Sequence, residues 1–81
     1  MYVRRIERNR VCNYTISTVR FGDIIETAIQ KERGPFVVVQ RYETEEQARQ
    51  YHKEWMKFCE KMPEVVLDYT GVQCSLVEEN V

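Results

Sequence analysis

The side chains with most to offer chemistry are the single histidine, His52, and the three cysteines, Cys12, Cys59 and Cys74. A zinc site draws nitrogen and sulfur ligands from short paired spacings. His52 and Cys59 lie seven residues apart on one helical face, about 10 Å along the axis, too far to share one ion easily. Cys12 and Cys74 stand alone, so neither a metal nor any other cofactor is expected, and the thiols read as small buried apolar groups. The same separation stands against Cys59 as a nucleophile with His52 as its base. No glycine-rich phosphate loop or nucleophile elbow occurs. One pairing remains, Glu26 with His52, a strand carboxylate and a helix imidazole that can approach across a sheet–helix seam. The competing reading is a half-buried histidine satisfied by its neighbours. Catalysis is not expected.

The elements that must position these residues begin with the helix. Thr44-Glu45-Glu46-Gln47 has the form of a capping box, in which the Thr44 hydroxyl accepts from a first-turn amide and Gln47 reaches back to the Thr44 amide. Ala48, Tyr51, His52, Trp55, Phe58, Cys59 and Met62 then recur at spacings of three and four, a stripe suited to covering a sheet, and Pro63 ends the run. Upstream, Val11–Phe21 is rich in β-branched and aromatic residues, with Tyr14 and Ile16 on one parity and Val19 and Phe21 on the other, which predicts a strand with a bulge near Ser17-Thr18. Gly22-Asp23 suits a two-residue type II′ turn, because glycine accepts the positive φ required there. The return strand Ile24–Glu32 places Ile25, Thr27 and Ile29 on one face and Glu26 and Gln30 on the other. After the break at Arg33-Gly34-Pro35, Phe36–Tyr42 is apolar on both parities, as a central or doubly covered strand would be.

The sequence therefore predicts one α+β domain over residues 1–81: a β-β-β-α core from 11 to 62, a first ten residues that form an arm or edge strand, and a 63–81 extension. In that extension Val65-Val66-Leu67 and Val72, Cys74, Leu76 flank Thr70-Gly71 as a hairpin or extended arm.

Of the 81 residues, 43% are hydrophobic and 31% charged, which excludes a disordered chain, and no apolar run approaches the roughly 20 residues that span a bilayer. No membrane association is expected. The N-terminal residues lack the apolar stretch of a secretory signal, and three scattered cysteines do not form a disulfide framework, so a cytoplasmic location is the default expectation. The net charge of −1 is unevenly spread: residues 1–20 hold five arginines against Glu7, whereas residues 62–81 hold Glu64, Asp68, Glu78 and Glu79 with no cation.

Three strands followed by a helix that opens in Tyr42, Thr44, Glu46 and Ala48 resemble the arm-type DNA-binding domains of tyrosine integrases and the plant AP2 domains, whose sheet enters the major groove. The resemblance implies readout by Arg20, Gln30, Lys31, Gln40 and Arg41. Glu26, Glu32, Glu43 and the net charge would repel phosphate. A second set of words, Ser17-Thr18-Val19 then Gly22, Glu26-Thr27, and Arg41-Tyr42-x-Thr44-x-Glu46-x-Ala48 followed by His52, resembles a group of very small uncharacterised proteins of bacteria and their phages. That match spans residues 17–52 and implies no activity or cofactor.

These readings converge on a small non-catalytic accessory protein of phage or prophage type that acts by binding a protein or by self-association, with Glu26, Arg41, Tyr42 and His52 as candidate binding residues. The alternatives are a DNA-binding module using the sheet face and a small enzyme. A homodimer is the expected assembly, because Val65, Val66, Leu67, Tyr69, Val72, Leu76 and Val77 have no second helix to cover them and a sheet edge invites pairing.

Overall fold

In the computed structural model, which describes residues 2–78, four antiparallel strands run as a meander in the order β1 (Val3–Val11), β2 (Tyr14–Phe21), β3 (Ile24–Lys31) and β4 (Val37–Tyr42). One helix, α1 (Glu45–Cys59), covers one face, and a small hairpin of β5 (Val65–Leu67) and β6 (Gln73–Ser75) follows. The fold is α+β, as the sequence predicts, with Val3–Val11 supplying a fourth strand at the edge. No helix among the described residues is long and apolar enough to cross a membrane.

Two-residue turns set the meander's register. Gly22 at φ +58° links the paired ends Phe21 and Ile24, as a primed turn requires. Cys12, also at positive φ, opens the turn between Val11 and Tyr14. In β2 the buried set is Tyr14, Ile16 and Thr18, an unbroken alternation with no bulge at Ser17-Thr18. Val19 and Phe21 stay on the other face, because the Thr18 hydroxyl is satisfied inside and nothing demands a parity change. The bulges lie instead on the two edge strands, where Ile6 is the extra residue between Arg5 and Glu7 and Val39 the extra residue between Val38 and Gln40. The second explains why β4 is apolar on both parities: Val37, Val39 and Tyr42 all point inward across the bulge, although β4 is an edge and not a central strand.

Thr44 caps α1 as expected, its hydroxyl accepting from the Gln47 amide at 3.2 Å. The Gln47 side chain reaches one residue further back than a capping box requires, accepting from the Glu43 amide at 3.2 Å. The helix stops at Cys59, short of Pro63, and a turn carries the chain to Met62 at φ +56°. Ala48, His52 and Cys59 are buried, whereas Tyr51 and Met62 are exposed and Trp55 is half-buried, donating through Nε1 to Gln40 Oε1 at 2.9 Å.

The extension folds back on its own chain. Val66 and Leu76 enter the main apolar cluster with Tyr14, Ile16, Ile29, Val37, Val39 and Cys59. The Tyr14 hydroxyl donates to the Pro63 carbonyl at 2.5 Å, and the Tyr69 amide donates to the Val38 carbonyl at 2.9 Å, using part of the β4 edge. Gly34 is required by this docking. A Cβ there would stand 2.1 Å from the Leu76 carbonyl oxygen, a backbone atom that cannot step aside. Gly34→Ala is therefore expected to lower stability by about 1–3 kcal/mol, the usual range for overpacking. A urea midpoint equal to the parent's would show that the extension does not seat against this turn.

Candidate functional site

Two apolar clusters fill the interior, and a polar layer separates them. On one side lie Tyr14, Ile16 and Ile29, on the other Ile25, Tyr42 and Ala48, and between them the cross-strand pair Thr18 and Thr27 faces His52 of α1. All three are fully buried. The Tyr42 hydroxyl donates to Thr27 Oγ1 at 2.8 Å, Thr27 and Thr18 share a bond of 2.6 Å, and Thr18 Oγ1 lies 2.6 Å from His52 Nδ1. On the other side of the ring, Nε2 lies 2.9 Å from Asn9 Oδ1 and 3.3 Å from Glu7 Oε2, both on β1.

Proton positions follow from the chain's ends. A carboxylate and an amide oxygen can only accept, so Nε2 carries the proton of a neutral ring. Nδ1 then accepts from Thr18, Thr18 from Thr27, and Thr27 from Tyr42, so each threonine hydroxyl donates once and accepts once and the Tyr42 hydroxyl starts the line as a donor. Protonating the ring would place a hydrogen on Nδ1, reverse both threonines and leave the Tyr42 hydroxyl without its acceptor. Burial accordingly holds the His52 imidazole below its ordinary value, with the Glu7 carboxylate opposing that shift. Burial likewise raises the Tyr42 phenol, partly offset by its bond to Thr27.

The candidate residues divide across the sheet. Tyr42 and His52 are joined on the helix side through Thr27 and Thr18. Glu26 and Arg41 sit on the opposite face, where Arg41 Nε donates to Glu26 Oε2 at 3.2 Å and the guanidinium lies 4.0 Å from the Tyr69 ring centroid. Glu26 and His52 do not meet, because β3 alternation sends Thr27 inward and Glu26 outward. Seven residues between Thr18 and His52 fold into one cross-section: Thr18, Thr27, Tyr42 and His52 make the relay, Glu26 and Arg41 the ion pair behind it, and Thr44 the helix cap. Asn9 and Glu7 were missed by sequence reasoning. Only a bulge brings Glu7 inward, and nothing in the local spacing of β1 marks it.

The residues named for DNA readout are mostly engaged elsewhere. Arg20 and Arg4 share the Glu45 carboxylate, holding it below its ordinary pKa through hydrogen bonds from Arg4 and Arg20. Lys31 pairs with Glu64 at 3.8 Å, Gln40 accepts from Trp55, and Gln30 Nε2 donates to the Gly34 carbonyl at 3.0 Å.

The outer sheet face has no helix over it. From β1 towards β4 its rows run Arg10, Thr15, Gln30; then Arg8, Ser17, Ala28, Val38; then Arg5, Val19, Glu26, Arg41; then Val3, Phe21, Ile24. A separate apolar groove of about 310 Å³ lies between α1 and the hairpin, lined by Trp55, Phe58, Val65, Val66, Leu67 and Gln73. Among the described residues no group of histidine, cysteine and acidic side chains is placed to hold a metal ion, and burial pushes the Cys59 thiol up to about 11. The chain matches no family model, no curated protein and no solved structure.

Two outcomes are expected of the relay. Thr18→Val removes the donor to Nδ1 and leaves a buried ring nitrogen unpaired, which should lower stability by about 1–3 kcal/mol. A ring whose pKa is lower folded than unfolded binds its proton more readily in the unfolded chain. His52's contribution is therefore complete above its ordinary pKa of 6.5 and declines as pH falls from there towards the folded-state value. Urea titrations across about pH 5–7 should show this slope in the parent and not in His52→Gln. Nitrogen NMR of the parent should show the Nε2–H tautomer at neutral pH, and a ring protonated at Nδ1 there would refute the assigned direction.

Proposed function

We propose that this is a non-catalytic binding protein that engages a second macromolecule on the uncovered face of its four-stranded sheet. The observation that carries the reading is the contrast between the two sides. The helix side is closed: its titratable groups are spent on one another, and among the described residues no buried side-chain nitrogen or oxygen lacks a partner. The outer side carries three exposed arginines, Arg5, Arg8 and Arg10, and a row of apolar side chains, Val3, Phe21 and Ile24, under no second layer. Arginine beside apolar and aromatic groups is the composition that contact surfaces favour. Replacing Val19 with a photoreactive amino acid should yield, in cells, covalent adducts heavier than the chain. The same residue at Gln50, exposed on the far side of α1, should yield none. Adducts from Gln50 and not from Val19 would overturn the reading.

A homodimer is favoured by a different observation. Packing of Val66 and Leu76 inward leaves Leu67 and Val72 each 59% exposed, with Val65 and Tyr69 beside them. A second copy seated on these side chains would remove apolar area from water at roughly 25 cal/mol per Å², against the cost of association. Light scattering should give twice the chain mass of 9.8 kDa at micromolar concentration and the single mass for Leu67→Lys. A parent that stays at the single mass would remove the dimer.

A further inference from the structure

The open face has a polarity that the net charge conceals. Among the described residues of its strands the only acidic side chain there is Glu26, which is bound to Arg41. Most of the other described carboxylates lie elsewhere: Glu45, Glu46, Glu54 and Glu60 on or after α1, Glu64 and Asp68 in the extension, and Asp23, Glu32 and Glu43 in turns. Glu7 points inward to His52. Against this, Arg5, Arg8 and Arg10 stand in a line on β1, opposite Val19, Ser17 and Thr15, and among the described residues none of them pairs with a carboxylate. Glu32 and Glu78 border the recess beside Arg10 without reaching it. The Ile6 bulge is what aligns the three. By strict alternation Arg5 and Arg8 would fall on opposite faces, but the extra residue keeps Ile6 and Glu7 both on the helix side and returns Arg8 to the outer one.

We propose that this arginine ladder binds the phosphate backbone of duplex nucleic acid. The inference rests on the open face being the contact surface and names its partner. Alternate residues of an antiparallel strand stand about 7 Å apart, so β1 offers a regular row of guanidinium forks, each able to hold a phosphate with two hydrogen bonds. Thr15 and Ser17 add hydroxyl donors opposite Arg10 and Arg8. A duplex is favoured over a single strand because the paired strands set one ring, Phe21, diagonal to Arg5 and none beside Arg8 or Arg10, which is too little to stack successive bases. The surface positions a backbone and has no set of base-reading groups, so binding is independent of sequence.

Fluorescence anisotropy of a short labelled DNA duplex tests this. Three phosphate contacts give a slope of about −2.7 in log affinity against log salt, a loss of about 40-fold between 50 and 200 mM. Each Arg→Gln change at positions 5, 8 and 10 should reduce the slope by about 1, and the triple variant should not bind. Lys53→Gln, the same charge change on α1, should leave affinity and slope as they were. No binding at low salt, a slope unaltered in the triple variant, or competition by poly-glutamate as effective as that by unlabelled duplex would overturn the proposal. The last result would indicate an acidic protein as partner. Duplex-blind protein that still forms Val19 adducts resistant to nuclease would retire nucleic acid and keep the open face, whereas loss of those adducts would retire both.

Discussion

The hydrogen-bonded line from Tyr42 through Thr27, Thr18 and His52 to β1 is the constraint on which the rest of this structure depends. Each buried polar group in it has value only when its neighbour is in place, since an unpaired hydroxyl or ring nitrogen in an apolar interior is penalised by about the full desolvation of the group. The line touches β4, β3, β2, α1 and β1 in turn. It therefore fixes where the helix lies along the sheet and which end of β1 meets it, a specification that the interchangeable aliphatic contacts on either side do not provide. A slip of one residue in any of these strands would present Ser17, Ala28 or Arg41 to the interior in place of a member of the line.

Both bulges serve that layer. On β4 the extra Val39 lets Gln40 point inward to meet Trp55 while Tyr42 reaches Thr27. On β1 the extra Ile6 packs against Ile25, Tyr42 and Ala48 and turns Glu7 towards the ring. The same change of parity sends Arg8 and Arg10 outward, so the interior and the charged outer row are two results of one inserted residue. A sheet edge bent by a bulge and lined with cations is also poorly suited to accept a foreign strand.

Legibility in the sequence followed the range of the interaction. The helix cap at Thr44, the glycine turn at Gly22 and the inward set Ile25, Thr27 and Ile29 were all readable because neighbours a few residues away determine them. Parity beyond a bulge is not readable in this way: the local pattern of Val11–Phe21 suggests a bulge that the strand lacks, and the apolar parities of Phe36–Tyr42 fit a central or doubly covered strand as well as they fit a bulged edge. The relay was half visible. Tyr42 and His52 stood out as candidates, but Thr18 and Thr27 read as ordinary strand residues, and Asn9 and Glu7 depend on contacts more than forty residues away.

The docking of Leu76 over Gly34 has a consequence for the order in which the chain acquires its structure. Contacts within the meander join adjacent strands and close short loops, whereas Asn9 to His52, Tyr14 to Pro63 and Gly34 to Leu76 each span about forty residues or more and carry a larger loop entropy. During synthesis β1 to β3 emerge with Thr18 and Thr27 able to satisfy only each other, and their inner face waits for the helix. The extension arrives last and closes over a framework already assembled. It is thus the unit with least holding it in place, the first to detach in native-state opening, and its departure would uncover Tyr14 and Val37 while leaving the histidine layer intact.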